Sequence, residues 1–191
     1  MKRKSIEVLS YLIENNNEKI NINRISKDLK MDYKNTYNIV QDLAKQNLIS
    51  LEKFGKNINC VLNKKAHPLI FEAEESRRKK LLKNKNFMIL YEKLKSLPFS
   101  FISLVFGSYA KGKPSKNSDI DMMVLCEKNR EREIDNVISI LPLKIHLVVL
   151  NYEEFLTMAK NKEFSVVSEA INNNILLVGI EDYYRLMENV K

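Results

Sequence analysis

Tryptophan is absent, and glycine and proline occur only four times each in 191 residues. Four scattered glycines rule out a G-x-G-x-x-G dinucleotide loop, so any phosphate site has to be built more sparingly. The two cysteines, Cys60 and Cys126, cannot form a disulfide framework; both stand in apolar runs and are expected as small core residues of a protein in a reducing, cytoplasmic setting. No run of 18 apolar residues occurs, and Glu7 and Ser10 interrupt the stretch after the basic start Lys2-Arg3-Lys4, so neither a membrane span nor a signal segment is expected. What is present is 45% hydrophobic residues, enough for one ordinary core or two small ones, and a net charge of +8.

That charge is uneven. Residues 1–65 carry 13 Lys/Arg against 7 Asp/Glu, residues 66–97 carry 8 against 4, and residues 98–191 carry 11 against 13. A basic front joined to a slightly acidic back suggests two domains, with a polyanion as partner of the first. The abundance of Lys, Asn and Ile gives a second reading, in which the excess is compositional only.

In the front segment, Ile6, Leu9, Leu12 and Ile13 mark an amphipathic helix over 3–15, Ile25 and Leu29 a second over 23–30, and Thr36, Ile39, Val40, Leu43 and Ala44 one face of a third over 33–46. Two alternating runs, 48–53 and 57–62, flank Phe54-Gly55-Lys56 as a hairpin. Three helices followed by a hairpin resemble the winged helix-turn-helix domain of bacterial and archaeal regulators. The resemblance covers residues 1–63 and rests on the order of elements. It implies that the third helix enters the major groove of double-stranded DNA, that the hairpin lies over the backbone, and that a homodimer on a palindromic site is the expected assembly. Lys34, Asn35, Asn38, Gln41 and Lys45 are then placed to reach bases or phosphates, with Lys53, Lys56 and Asn57 as hairpin contacts. The alternative is that these side chains only solvate the helix face.

Pro68 suits the first turn of a connecting helix, in which Glu74/Arg78 and Glu75/Lys79 stand at i,i+4 spacing. Its basic run Arg77-Arg78-Lys79-Lys80 is expected on a solvated face. Phe87, Leu90, Tyr91 and Leu94 mark a further helix ending before Pro98, and His67 has no neighbour at ligand spacing.

The chemistry concentrates after residue 100. An apolar strand, Phe101–Phe106, runs into Gly107-Ser108, and a polar loop leads to Ser118-Asp119-Ile120-Asp121 at the head of a second apolar strand. Strand alternation puts Asp119 and Asp121 on one side and Ile120 in the core. Paired carboxylates call for a cation between them, such as Mg²⁺ bound with substrate phosphates. Gly107 permits a sharp turn, Ser108 offers a hydroxyl, and free N–H groups at the start of the following helical turn suit an anion.

This arrangement resembles the nucleotidyltransferases of the DNA polymerase β superfamily, and most closely their minimal bacterial and archaeal members, over residues 99–186. The resemblance implies a mixed sheet flanked by helices. It also implies a nucleoside triphosphate held at Gly107, Ser108, Lys111 and Ser118, and Mg²⁺ or Mn²⁺ on Asp119 and Asp121. Two departures stand out. Lys111 replaces the arginine usual after Gly-Ser, keeping charge but losing the bidentate fork. His146, within Lys144–Leu150, occupies the place of the third carboxylate. It is either a ligand or base in that role, or a space-filling residue of the strand. Glu153 and Glu154 come too late to replace it and are expected to open the next helix.

The sequence therefore predicts an α+β protein with a winged helix-turn-helix domain (1–65), a helical connector (66–97) and a nucleotidyltransferase-like domain (98–191). The expected function is DNA binding joined to binding of a Mg²⁺-nucleoside triphosphate and nucleotidyl transfer to an acceptor the sequence does not name. The alternative is a regulator whose back domain has lost catalysis and serves nucleotide sensing or assembly.

Overall fold

The computed structural model describes residues 2–55, 57–115, 118–161 and 165–190. The chain divides into two compact units, 1–76 and 77–191. The boundary falls inside the expected connector, within its first helix.

In the front unit, α1 (Lys2–Glu14) buries Val8, Leu9, Leu12 and Ile13. α2 (Ile22–Asp28) starts where the Asn21 side chain accepts the Arg24 N–H. Lys30 takes the left-handed conformation (φ 52°) that ends α2, and the Met31 N–H donates to Ser26 O at 2.9 Å. α3 (Tyr33–Lys45) is capped by Asp32, which accepts the Asn35 N–H at 3.0 Å. Its buried residues are Thr36, Ile39, Val40 and Leu43, four of the five on the expected inner face. Asn47, also at positive φ (56°), turns the chain into β1 (Ile49–Phe54), which pairs antiparallel with β2 (Asn57–Leu62). The expected hairpin thus forms in register Leu51 to Cys60, and the Cys60 N–H reaches Ile20 O at 2.7 Å.

α4 (Pro68–Leu81) starts at Pro68 as expected, with the His67 ring nitrogen Nδ1 accepting the Leu69 N–H. Half of the basic run meets its expected solvated face, Lys79 and Lys80 being exposed, and the two arginines depart from it. Arg77 is buried and its Nη2 donates to Asn174 O at 2.7 Å, while Arg78 Nη1 donates to Leu177 O at 2.9 Å. A guanidinium that satisfies carbonyls in and just before the strand Ile175–Val178 is held in the protein by those bonds, whatever its local charge pattern suggests.

In the back unit α5 (Lys85–Lys95) precedes β3 (Ile102–Val105), the short α6 (Gly107–Ala110) and β4 (Ile120–Leu125). Then come α7 (Glu131–Ser139), β5 (Ile145–Leu150), α8 (Tyr152–Lys160), α9 (Val166–Asn172), β6 (Ile175–Val178) and α10 (Ile180–Met187). The sheet order is β5-β4-β3-β6, mixed as expected: β4 and β5 are parallel and the other pairs antiparallel. Alternation decides the faces. Val105, Ile120, Met122 and Val124 join Phe87, Leu90 and Leu94 of α5 and Ile134 and Ile138 of α7 in one core. Asp121 and His146, out of phase with those residues, lie on the opposite face. Among the described residues no helix is long and apolar enough to cross a membrane.

Candidate functional site

β3 delivers the chain to Gly107 and β4 delivers Asp121 beside it. The Phe106 N–H donates to Asp121 O at 2.9 Å, which fixes the two backbones side by side. Gly107 then turns with φ 66°. A side chain is excluded there twice over: the left-handed region disfavours it, and a Cβ would collide with Asp121 Oδ2 and stand 3.0 Å from Asp121 Cγ. Glycine is thus required because the acidic half of the sequence pattern occupies the space beside it.

The remaining residues of the pattern fall around this contact. Ser108 is half-buried in the first turn of α6. Lys111 caps α6, its N–H donating to Gly107 O at 3.1 Å, and its Nζ lies 2.7 Å from Glu169 Oε1 on α9. Ser118 Oγ accepts the Ser115 N–H at 2.8 Å, and its carbonyl accepts the Tyr109 hydroxyl at 3.4 Å. Asp119 is exposed just before β4, Ile120 is buried, and Asp121 is half-buried.

His146 stands opposite Asp121 in the parallel β4–β5 register, its Nδ1 3.4 Å from Asp121 Oδ1. The ring is two-thirds exposed (67%), so it does not fill the core. Glu153 and Glu154 open α8, where Glu154 and Asn151 form a reciprocal cap. They line a separate cavity of about 470 Å³ with Leu150, at the far end of β5. Four steps along the strand, roughly 13 Å, separate Leu150 from His146, so neither glutamate can take the place of a third acid.

The donor set fits one hard cation. Asp121 on β4 and Asp119 just before it, completed by phosphate oxygens and water, offer the hard oxygen donors that suit Mg²⁺ or Mn²⁺. Among the described residues no three His, Cys, Asp or Glu side chains gather as a metal cluster, so the set does not fit two cations.

On the front unit, Lys34, Asn35, Asn38 and Lys45 are exposed on α3, Gln41 is half-buried, and Lys53 is exposed on β1. Lys56 lies outside the described residues, as does the side chain of Asn57. Two residues on the same helix were missed by sequence reasoning: Tyr33 and Tyr37, 53% and 43% exposed. Their i,i+4 spacing, out of phase with Thr36, Ile39, Val40 and Leu43, was the available signal.

Residues 93–173 match the family model described as a nucleotidyltransferase domain. The match contains Gly107, Ser108, Lys111, Asp119, Asp121, His146 and Glu169, and supports the nucleotidyltransferase part of the resemblance. Comparison with curated proteins and with solved structures finds no match.

Proposed function

We propose that the back unit binds a nucleoside triphosphate with one divalent cation and transfers its nucleotidyl group to an acceptor hydroxyl, while the front unit holds the protein on double-stranded DNA. The observation that carries the first part is the seating of Asp121 in the space where a Cβ of Gly107 would stand. It sets the carboxylate of the second half of the pattern against the turn of the first.

In this reading Asp119 and Asp121 hold the cation, which offsets the charge of the phosphates and polarises the α-phosphorus. Ser108 and Lys111 bind phosphate oxygens. The Asp121 carboxylate orients His146 through Nδ1, leaving Nε2 to accept a proton. The acceptor oxygen bonds to the α-phosphorus, its proton passes to Nε2, and the bond to pyrophosphate breaks as pyrophosphate leaves.

The DNA-binding part is supported by the order of α1, α2, α3 and the β1–β2 hairpin, and by the exposed Lys34, Asn35, Asn38 and Lys45 on the third helix. In this reading residues 1–65 work as a winged helix-turn-helix, a homodimer on a palindromic site.

A second reading has its own observation. The position of the third acid holds an imidazole, and no three-ligand cluster forms among the described residues. A regulator that senses nucleotide without turning it over needs no more than the single cation.

Transfer of label separates the two. The full chain is incubated with each α-labelled nucleoside triphosphate, Mg²⁺ or Mn²⁺, and cell extract as acceptor source. Transferred label that disappears in Asp119→Asn and Asp121→Asn supports the enzyme. Nucleotide binding without transfer supports the sensor.

A further inference from the structure

Lys111 is the cation that the nucleotide reading assigns to phosphate, yet its ammonium is already engaged, 2.7 Å from a carboxylate 58 residues further on. We infer that Glu169 competes with substrate phosphate for Lys111 and thereby sets how tightly the back unit holds a triphosphate. The inference rests on that reading.

The two ends of the contact are fixed independently. Lys111 is held by its N–H to Gly107 O at 3.1 Å, and the next turn is closed by the Lys113 N–H to Ser108 O at 3.0 Å. Glu169 is held in α9 by its N–H to Ser165 O at 3.0 Å and by its carbonyl, which accepts the Asn173 N–H at 2.9 Å. The lysine stem therefore leaves the backbone one turn after the Gly107–Asp121 contact, and the glutamate stays with its own helix when the pair parts.

Residue type sharpens the competition. An arginine presents separate edges of a planar fork and can keep a carboxylate on one while offering the other; a lysine carries a compact point charge that the carboxylate neutralises. The pair is also exchangeable. Its side chains are 45% and 30% exposed, a setting in which ion pairs contribute little and are screened by salt. A triphosphate brings several negative charges and takes the ammonium from the single carboxylate.

Isothermal titration of the full chain with Mg²⁺-ATP, and with Mg²⁺-tripolyphosphate as a base-free probe, tests this. Glu169→Gln is expected to bind both about three- to five-fold tighter, the upper figure corresponding to about 1 kcal/mol. Lys111→Met weakens both, and adding Glu169→Gln to it gives no further change, a coupling that a merely structural role for Glu169 would not produce. Lys111→Arg tightens both, since its fork serves carboxylate and phosphate together. Unchanged or weaker binding by Glu169→Gln, or a gain that persists without Lys111, overturns the inference and leaves nucleotide binding standing. If the wild-type chain binds neither probe, the nucleotide reading fails and the inference with it.

Discussion

Replacing Gly107 by alanine separates two effects that the structure superimposes, and Gly112 supplies the control. Both glycines have φ 66°, but a Cβ at Gly112 meets nothing within 4 Å, whereas one at Gly107 collides with the Asp121 carboxylate. Gly112→Ala therefore incurs only the left-handed backbone cost, about 1–2 kcal/mol. Gly107→Ala incurs the same cost plus displacement of a half-buried carboxylate against neighbouring strands, about 1–3 kcal/mol more. For a unit of this size about 1 kcal/mol moves the melting temperature by roughly 4 °C. Calorimetry should show the back unit melting roughly 4–8 °C lower in Gly112→Ala, and a further 4–12 °C lower in Gly107→Ala. Asp121→Ala removes the obstruction, so adding Gly107→Ala to it should cost no more than Gly112→Ala does alone. Equal costs for the two single glycine variants would refute the claim that Gly107 is required by Asp121.

On the front unit, retardation of duplex DNA by the full chain is expected to weaken by roughly three orders of magnitude between low and moderate salt, with a shallower slope in Lys34→Ala and altered sequence preference in Asn38→Ala; no retardation at any salt would end the DNA-binding proposal. Burial pushes the thiols of Cys60 and Cys126 from 9.0 up to about 11. The unfolded chain thus loses these protons first, so their contribution, of order 2 kcal/mol per thiol, is complete below pH 9 and is lost as pH rises through 11, visible as falling melting temperature in that window. A thiol reagent at pH 8 should label neither cysteine until denaturant is added. Ser103 buries a hydroxyl without a partner among the described residues, so Ser103→Ala is expected to be neutral or stabilising in denaturant unfolding. His146→Asp should leave the melting temperature near wild type and raise metal affinity, while loss of label transfer in His146→Ala at unchanged stability would identify the imidazole as a working base.

What was legible in the sequence is what local physics controls. The inner face of α3 followed from helical spacing, the β1–β2 pairing from alternation around Gly55, and the start of α4 from Pro68. The union of Gly107 with Asp121 was legible as well, because both lie next to strand ends that pair directly. Long-range contacts left no local trace. Arg77 and Arg78 read as a surface run because their partners, the carbonyls of Asn174 and Leu177, lie 97 and 99 residues away. Glu169 carried no sign that it would meet Lys111. The exposure of Tyr33 and Tyr37 did have a local signal, their spacing out of phase with the buried face of α3.

The measurement that bears most directly on the central claim is the melting temperature of the full chain with each of the four nucleoside triphosphates, with Mg²⁺ and with Mn²⁺, for wild type and Asp121→Asn. Ligand at 100 times its dissociation constant adds about 2.7 kcal/mol. A rise of roughly 10 °C in the back unit is expected for at least one nucleotide, metal-dependent and abolished in Asp121→Asn, whose neutral amide cannot hold the cation against water. An unchanged curve with every nucleotide and both metals, or a rise that survives Asp121→Asn, would contradict it.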